Sequence, residues 1–198
     1  FDEEAAKDVG LMQRVKLDDA EAFGELFERH LGGVVNAFYR HTRDRAAAED
    51  LAQEAFIRVY KARDRYEPTA KFTTWLYRIV TNLALNWKRD KGVRRTVPAA
   101  FGTAETAGAA ALPEPADAEA DGPTARLDNQ ERAEILAAAI EQLPDTQRAA
   151  LILQRDQDLS HAEIGEILDV SVDAVKSLLA RARSNLRDLL RPYWDREP

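Results

Sequence analysis

The sequence predicts an all-α protein in which two small helical domains are joined by a flexible linker. Apolar residues recur every three to four positions through most of the chain, and the strict alternation typical of strands is nearly absent. Residues 96–125 differ, because they hold four prolines and many alanines but no lysine or arginine, and few large side chains that could form a core. We therefore expect a first domain at 1–94, a linker at 95–126 and a second domain at 127–198.

Helix starts are marked by side chains that can accept hydrogen bonds from the first turn. Asp18 with Glu21, and Ser160 with Glu163, have the spacing of a capping box. Further N-cap candidates are Asp44, Thr73 and Ser171. The predicted helices span residues 4–16, 19–40, 45–65, 73–91, 127–142, 145–156, 161–168 and 172–191.

Composition excludes several classes of protein. The 198 residues include no cysteine, which excludes disulfides and cysteine-ligated metals, and His30, His41 and His161 lack metal-ligand spacing. We expect no metal, no cofactor and no small-molecule substrate. No apolar run approaches the roughly 18 residues of a membrane helix, and the acidic start lacks the layout of a signal peptide, so we expect a soluble cytoplasmic protein.

Charge is unevenly distributed along this acidic chain, whose formal net charge is −7. Residues 71–95 contain seven basic residues and one acidic, and residues 171–191 contain five and two. Contact with phosphate needs only a locally basic face, so both stretches are candidates for binding nucleic acid.

Residues 161–191 have the pattern of a helix-turn-helix that reads DNA. A short helix carries apolar Ile164 and Ile167, Gly165 allows close approach, and a three-residue turn over 169–171 leads into a second helix. The apolar side of that helix consists of Val172, Val175, Leu178, Leu179, Ala182, Leu186 and Leu189. The opposite side consists of Asp173, Lys176, Ser177, Ala180, Arg181 and Ser184.

The polar side of this second helix suits the major groove. Lys176 and Arg181 can reach guanine edges or phosphates, and Ser177 can hydrogen-bond to either. Arg183 lies nearer the flank and suits phosphate, whereas small Ala180 permits close approach. The alternative is an ordinary helical hairpin with a solvated basic face.

The stretch over 48–62 predicts a helix with one core face and one polar face. Its core positions are Ala48, Leu51, Ala52, Ala55, Val59 and Ala62. Its opposite face consists of Asp50, Gln53, Glu54, Ile57 and Lys61. Ile57 is an apolar residue amid polar ones, which suits contact with a protein, although single exposed apolar residues are common.

The next helix, over 73–91, predicts a core face of Phe72, Leu76, Ile79, Val80, Leu83 and Trp87. Lys71, Arg78, Asn82 and Arg89 lie across from it, and Trp75 lies beside the preceding loop. Basic and aromatic residues next to a loop suit single-stranded nucleic acid, where cations hold the backbone and a pocket takes an unstacked base. The alternative is a helix with both tryptophans in the core and its lysines in water.

Together, AEDLAQEAFIRVYKARDRYEPTAKFTTWLYRIVTNLALNWKRDKGVRR and LPDTQRAALILQRDQDLSHAEIGEILDVSVDAVKSLLARARSNLR resemble a bacterial RNA polymerase sigma factor of the extracytoplasmic-function type. The resemblance covers nearly the whole chain except the linker. It implies that the first domain is like sigma region 2, which docks on the polymerase and reads the −10 element. The second domain is like region 4, which reads the −35 element as duplex.

The resemblance also implies roles for residues and partners. The residues that match the surface for the polymerase β′ clamp helices are Asp50, Leu51, Gln53, Glu54 and Ile57. The residues that match the −10 reader, where a non-template base is flipped into a loop pocket, are Pro68, Lys71, Thr73, Trp75, Arg78, Asn82, Lys88 and Arg89. The −35 set is Ser171, Lys176, Ser177, Ala180, Arg181 and Arg183. Further implied partners are the β flap, promoter DNA and an anti-sigma factor.

Two other classes of function remain as alternatives. A dimeric helix-turn-helix regulator would bind a palindrome, but it needs fixed half-site spacing, which a long linker does not favour. It would also leave the basic and aromatic stretch 71–95 without a role. An enzyme lacks support, because no nucleophile–base pair or carboxylate–histidine cluster is apparent. We expect no catalytic residue.

Overall fold

The computed structural model describes residues 3–96, 123–157 and 159–194, and these ranges are almost entirely helical. Its helices are α1 (Glu3–Val15), α2 (Ala20–Thr42), α3 (Arg45–Lys61), a 3₁₀ turn (Arg63–Arg65), α4 (Phe72–Thr96), α5 (Pro123–Glu141), α6 (Asp145–Asp156), α7 (His161–Leu168) and α8 (Val172–Trp194). The all-α prediction is confirmed. The middle of the predicted linker, 97–122, lies outside the described residues.

The helices form two bundles, each with its own core. In the N-terminal bundle, α2 packs on α1, α3 and α4. In the C-terminal bundle, α8 packs on α5, α6 and α7. The two bundles also contact each other, because α7 packs on α4 and α6 packs on α2. Buried apolar residues therefore run from one bundle into the other without a break.

Three of the predicted N-caps are confirmed. The Asp44 carboxylate accepts a hydrogen bond from the Ala47 amide at 3.1 Å. Ser160 and Glu163 form the complete capping box at the start of α7. The Ser171 hydroxyl accepts from the Ala174 amide at 3.2 Å at the start of α8. These local bonds satisfy amides that would otherwise have no partner in the first turn.

The other two cap predictions are wrong, each by a shift along the chain. Asp19 rather than Asp18 caps α2, accepting from the Ala22 amide, whereas Asp18 takes the left-handed conformation with φ of 61°. Asp tolerates this region better than most residues, and the turn there places its carboxylate 2.6 Å from Arg63 Nη2. Thr73 lies inside α4, which begins one residue earlier at Phe72.

No helix in the described ranges combines the length and apolar character needed to cross a membrane.

Candidate nucleic-acid interface

The polar face of α3 is exposed, as predicted. Asp50, Gln53 and Ile57 are exposed, with Ile57 47 % accessible, whereas Ala48, Ala52, Ala55 and Val59 on the other face are buried against the bundle. Glu54 is partly exposed, and its carboxylate pairs with Arg58 one turn later at 2.8 Å.

Leu51 departs from this pattern, because it is only partly exposed and packs against the core. Leu51 can therefore support the exposed face of α3 from the side of the core. Its side chain is only partly available to a partner on that surface.

Aromatic side chains fix the loop before α4. The ring centroid of Trp75 lies 5.2 Å from the ring centroid of Tyr66 and 6.1 Å from that of Phe72. Tyr66 and Phe72 are both almost fully buried. Lys16 Nζ donates to the Tyr66 carbonyl at 2.9 Å, which ties the loop to the residue that follows α1. Trp75 is half-buried. One part of its surface packs in the core, as the alternative interpretation expected, and the other part stays accessible, as the nucleic-acid interpretation requires.

Helix α4 is buried around most of its circumference. The predicted core residues Phe72, Leu76, Val80 and Leu83 are buried, and Ile79 and Trp87 are partly buried. The further buried side chains on α4 are Thr74, Tyr77, Thr81 and Ala84. An amphipathic helix on one core normally buries a single stripe. The second buried side exists because α4 also packs on α7.

Along residues 72–89, whose side chains the structure describes, the exposed residues of α4 form one narrow strip, here called the α4 strip. At about 100° per residue, Trp75, Arg78, Asn82, Asn86 and Arg89 fall close together on the helix surface. All are exposed except Trp75, which is half-buried. Arg89 Nη2 donates to the Asn86 Oδ1 atom. Asn86 was missed in the sequence, although its spacing of four from Asn82 is the signal that could have identified it.

Lys88 does not belong to the α4 strip. It follows Tyr77, Thr81 and Ala84 on the side that the C-terminal bundle covers. Its Nζ atom lies 2.5 Å from Asp145 Oδ1 at the start of α6. Lys71, in the loop before α4, is held in a similar way by Glu163 of α7, at 3.0 Å.

These ion pairs lower the pKa of both carboxyl groups. Burial alone raises the pKa of Asp145, but hydrogen bonds and charge from Lys88 and Arg148 outweigh it. For Glu163, burial is likewise outweighed, here by hydrogen bonds from Ser160 and Lys71. Both side chains therefore stay ionised at neutral pH.

A cleft of about 460 Å³ lies beside the loop before α4. Its lining residues are Glu4, Ala5, Asp8, Arg29, His30, Lys71 and Thr73. Asp8 is buried and accepts from Arg29 Nε at 2.9 Å, and its other oxygen lies 2.8 Å from His30 Nε2. Burial raises the pKa of Asp8, but these two partners lower it further than burial raises it. This network could not be predicted from the sequence, because Asp8 lies on α1 whereas Arg29 and His30 lie on α2.

The helix-turn-helix is built around Gly165. A Cβ atom on Gly165 would lie 2.8 Å from the Val170 carbonyl oxygen, so a larger residue there would force the turn to shift away from α7. Asp169 ends α7 in the left-handed conformation, with its amide bonded to the Gly165 carbonyl. Gly165 therefore lets the turn pack closely against α7. This turn then determines the direction of α8.

Helix α8 exposes every residue of the predicted reading face. Lys176, Ser177, Ala180 and Arg181 are all exposed, while Val175, Leu179 and Ala182 are buried. Val172 was predicted on the apolar side but is 41 % accessible, because it is the first residue of the helix.

Several polar side chains on α8 have partners within the chain. Lys176 pairs with Asp173 at 3.1 Å, and Arg183 donates to Gln154 of α6 at 2.9 Å. The Ser177 hydroxyl donates to the Asp173 carbonyl at 2.9 Å. Arg181 is exposed and makes no ion pair or hydrogen bond with the described residues.

Comparison with known proteins places both bundles in one family. The family described as Sigma-70 region 2 matches residues 26–94, and Sigma-70, region 4 matches residues 133–186. The ECF RNA polymerase sigma factor SigW of Bacillus subtilis is 36 % identical over 182 residues, which cover 91 % of this chain and 95 % of that protein. The ECF RNA polymerase sigma-E factor of Escherichia coli is 32 % identical, covering 96 % and 97 %.

Solved structures show the same fold. CnrH in complex with the cytosolic domain of CnrY has a TM-score of 0.67 at 23 % identity, covering 94 % of this chain and 98 % of that one. RpoE of Bartonella quintana in complex with the anti-sigma factor NepR has a TM-score of 0.62 at 20 % identity, covering 87 % and 98 %. With both sigma regions in order and relatives matched along almost their full length, the chain belongs to the extracytoplasmic-function sigma factors, the alternative sigma factors that direct transcription initiation.

Proposed function

We propose that three exposed surfaces divide the work of this sigma factor. The polar face of α3 binds the clamp helices of the core polymerase. The loop before α4 and the α4 strip read the −10 element as a single strand, and α8 reads the −35 element as duplex. The observation that carries this proposal is the α4 strip, because along residues 72–89 the side of α4 that is open to solvent is the side with the arginines and asparagines.

Docking on polymerase uses Ile57 as its apolar centre, with Asp50, Gln53 and Glu54 around it. An exposed apolar residue with a polar rim is typical of a protein interface. This face is held in a fixed orientation, since the opposite side of α3 is buried in the N-terminal bundle.

Reading of the −10 element combines a rigid aromatic base with cations. Tyr66 and Phe72 hold Trp75, whose remaining surface can stack on an unpaired base. Arg78 and Arg89 can hold the backbone of the strand, and Asn82 can hydrogen-bond to a base edge. Pro68 and Lys71 shape the loop, Thr73 lies in the first turn of α4, and the neighbouring cleft lined by Lys71 and Thr73 offers space for a flipped base.

Reading of the −35 element uses the N-terminal half of α8. Lys176 and Arg181 supply contacts to bases, Ser177 supplies a hydroxyl, and Ala180 lets the helix approach the groove. Ser171 and Arg183 lie at the two flanks and suit phosphate contacts.

The remaining partners follow from the family. We infer contact with the β flap and control by an anti-sigma factor, in line with the relatives solved as complexes with the cytosolic domain of CnrY and with NepR. A protein that works on bacterial RNA polymerase acts in the cytoplasm. We assign it no catalytic chemistry of its own, because strand opening by capture of bases needs no bond to be broken.

The test is transcription with purified core polymerase on a promoter library, comparing the parent with two matched variants. Asp50→Lys/Glu54→Lys should abolish assembly with core polymerase and therefore all promoter-specific transcripts. Glu21→Lys/Asp64→Lys makes the same change of charge at exposed positions of the same bundle and should assemble normally. Equal assembly of the two variants would remove α3 from the docking surface, and a parent without promoter-specific transcripts would contradict the whole proposal.

A further inference from the structure

Asp173 lies at the centre of the exposed face of α8 that the proposed function assigns to the −35 element. At about 100° per residue, it is roughly 60° from Lys176 on one side and roughly 40° from Ser177 on the other. Its side chain is 90 % accessible. Ala180, about two turns further along at nearly the same angle, is exposed and adds no bulk that would keep this face out of a groove. A duplex that α8 reads therefore meets the Asp173 carboxylate.

The start of α8 does not need this carboxylate as a cap. Ser171 is the cap, because its hydroxyl accepts a hydrogen bond from the Ala174 amide at 3.2 Å. The Asp173 carboxylate instead accepts from Lys176 Nζ at 3.1 Å. Both side chains of this ion pair are largely exposed, so the pair contributes little to stability.

A negative side chain at this place weakens binding to DNA unless a base compensates for it. The phosphates on both sides of a groove repel a carboxylate, whatever the sequence between them. A carboxylate only accepts hydrogen bonds, so only a donor on a base edge can satisfy it. In the major groove those donors are the amino groups of cytosine N4 and adenine N6. Asp173 is therefore unfavourable at most base pairs and favourable at a few.

The ion pair of Asp173 with Lys176 matches two neighbouring atoms of one base pair. Each amino group in the major groove lies beside an oxygen of the partner base, which is O6 of guanine or O4 of thymine. The nitrogen and the oxygen are about 2.9 Å apart, because they are hydrogen-bonded to each other. Asp173 and Lys176 present an acceptor and a donor at 3.1 Å, so the carboxylate can face the amino group while the ammonium faces the oxygen.

The order of groups across the groove favours G·C over A·T for this ion pair. In G·C, the N7 and O6 atoms of guanine are adjacent acceptors that suit Lys176, and cytosine N4 is the donor for Asp173. In A·T, the amino group lies beside adenine N7, whose lone pair repels the carboxylate, and the thymine oxygen lies beside the methyl group. The two side chains together can therefore discriminate between the two base pairs.

We propose that Asp173 is a specificity-determining residue, which accepts a hydrogen bond from the N4 amino group of a cytosine in the −35 element. Lys176 donates to O6 and N7 of the guanine paired with that cytosine, so the two residues read one base pair across both strands. The inference rests on the proposed function, since it takes α8 to enter the major groove with its N-terminal end first. It adds an acidic residue to a reading set of basic and small side chains.

The test selects −35 sequences with holoenzyme assembled from purified core polymerase and the full chain. The probe is a pool of promoter duplexes with randomised −35 positions and one constant −10 element, and the bound duplexes are sequenced. Asp173→Asn removes the charge at nearly constant shape, and its amide N–H group can donate to adenine N7. Asp188→Asn makes the same change at an exposed position of the same helix, roughly 22 Å away at about 1.5 Å per residue, and is the matched control.

The parent and Asp188→Asn should both prefer G·C over A·T at one −35 position. Asp173→Asn should reduce that preference by about five- to 150-fold, the range of one good bidentate contact, and leave the preferences at the other positions unchanged. Its affinity for a duplex of unrelated sequence should be equal or higher, because a carboxylate has been removed from the surface that meets the phosphates.

Three results would overturn the proposal. The first is a sequence preference of Asp173→Asn that equals that of the parent at every position. The second is a uniform loss of affinity for all sequences, which a role confined to the first turn of α8 would produce. The third is a change restricted to a position where the parent selects A·T, which would exclude cytosine. A parent without any −35 preference would instead contradict the assignment of α8 as the −35 reader, and with it the proposed function.

Discussion

Gly165 offers a sharp test of how the helix-turn-helix is held together. Replacing it by alanine places a methyl group 2.8 Å from the Val170 carbonyl oxygen and 3.8 Å from Val175 Cγ2. The first distance is shorter than real Cβ contacts allow, and the atom that must give way is backbone. The turn between α7 and α8 therefore has to move by a few tenths of an ångström, and α8 moves with it.

The expected magnitude is the difference between two opposing effects. Alanine favours the helix over glycine by about 1 kcal/mol. Overpacking against a backbone that cannot move freely costs about 1–3 kcal/mol. Gly24 of α2 supplies the matched control, because a Cβ there meets nothing within 4 Å and only the gain in helix propensity remains. We expect Gly165→Ala to be about 1–3 kcal/mol less stable than Gly24→Ala.

Urea unfolding followed by circular dichroism measures the difference, and binding of a −35 duplex reports the position of α8. Gly24→Ala should raise the midpoint and leave −35 binding unchanged. Gly165→Ala should have a lower urea midpoint than Gly24→Ala and should bind the −35 duplex more weakly. Equal midpoints for the two variants, with unchanged duplex affinity, would show that the turn does not need the close approach described above.

Three further outcomes are expected. Alanine at Lys176 and at Arg181 should each relax −35 discrimination by about 1–3 kcal/mol in competition binding, and unchanged preference would remove that residue from the reading set. The pKa of His41 is lowered to about 4, mainly by burial and then by nearby cations, so it stays neutral in the folded chain. The charged groups around His41 are Arg148, Lys88 and Asp145. Because the unfolded imidazole binds its proton near pH 6.5, stability should fall as pH drops from about 6.5 towards 4, by up to about 3 kcal/mol, and His41→Gln should flatten that part of the urea profile. Asp44→Ala removes the α3 cap and should lower the free energy of unfolding by about 1 kcal/mol, whereas no change would mean that the cap is replaced by solvent.

Local patterns predicted most of the fold, because caps and apolar periodicity act over one or two turns. Asp44, Ser160 and Ser171 cap their helices as predicted, and the reading face of α8 is exposed at each predicted position. The choice between Asp18 and Asp19 failed because both residue types suit an N-cap. Only the fold, through the turn that brings Asp18 to Arg63, decides between the neighbours.

The second buried side of α4 could not be predicted, because it depends on contact between helices far apart in the chain. Tyr77, Thr81 and Ala84 show no amphipathic signal beyond the ordinary core stripe. For the same reason Lys88 was grouped with Arg89, although the two adjacent residues lie on different sides of the helix. The predictions were reliable where one element determines a residue's surroundings and failed where two bundles meet.

The pairing of Lys71 and Lys88 with carboxylates separates the affinity of a proposed promoter contact from its dependence on salt. A free lysine that meets a phosphate on single-stranded DNA releases counterions, and each such contact adds about 0.7 to the slope of log affinity against log salt. A lysine that exchanges a carboxylate for a phosphate still releases the cations condensed on that phosphate, but it first has to give up its partner within the chain. We therefore expect the proposed phosphate contacts of Lys71 and Lys88 to add less affinity than contacts made by unpaired lysines, although both kinds of contact add equally to the salt slope.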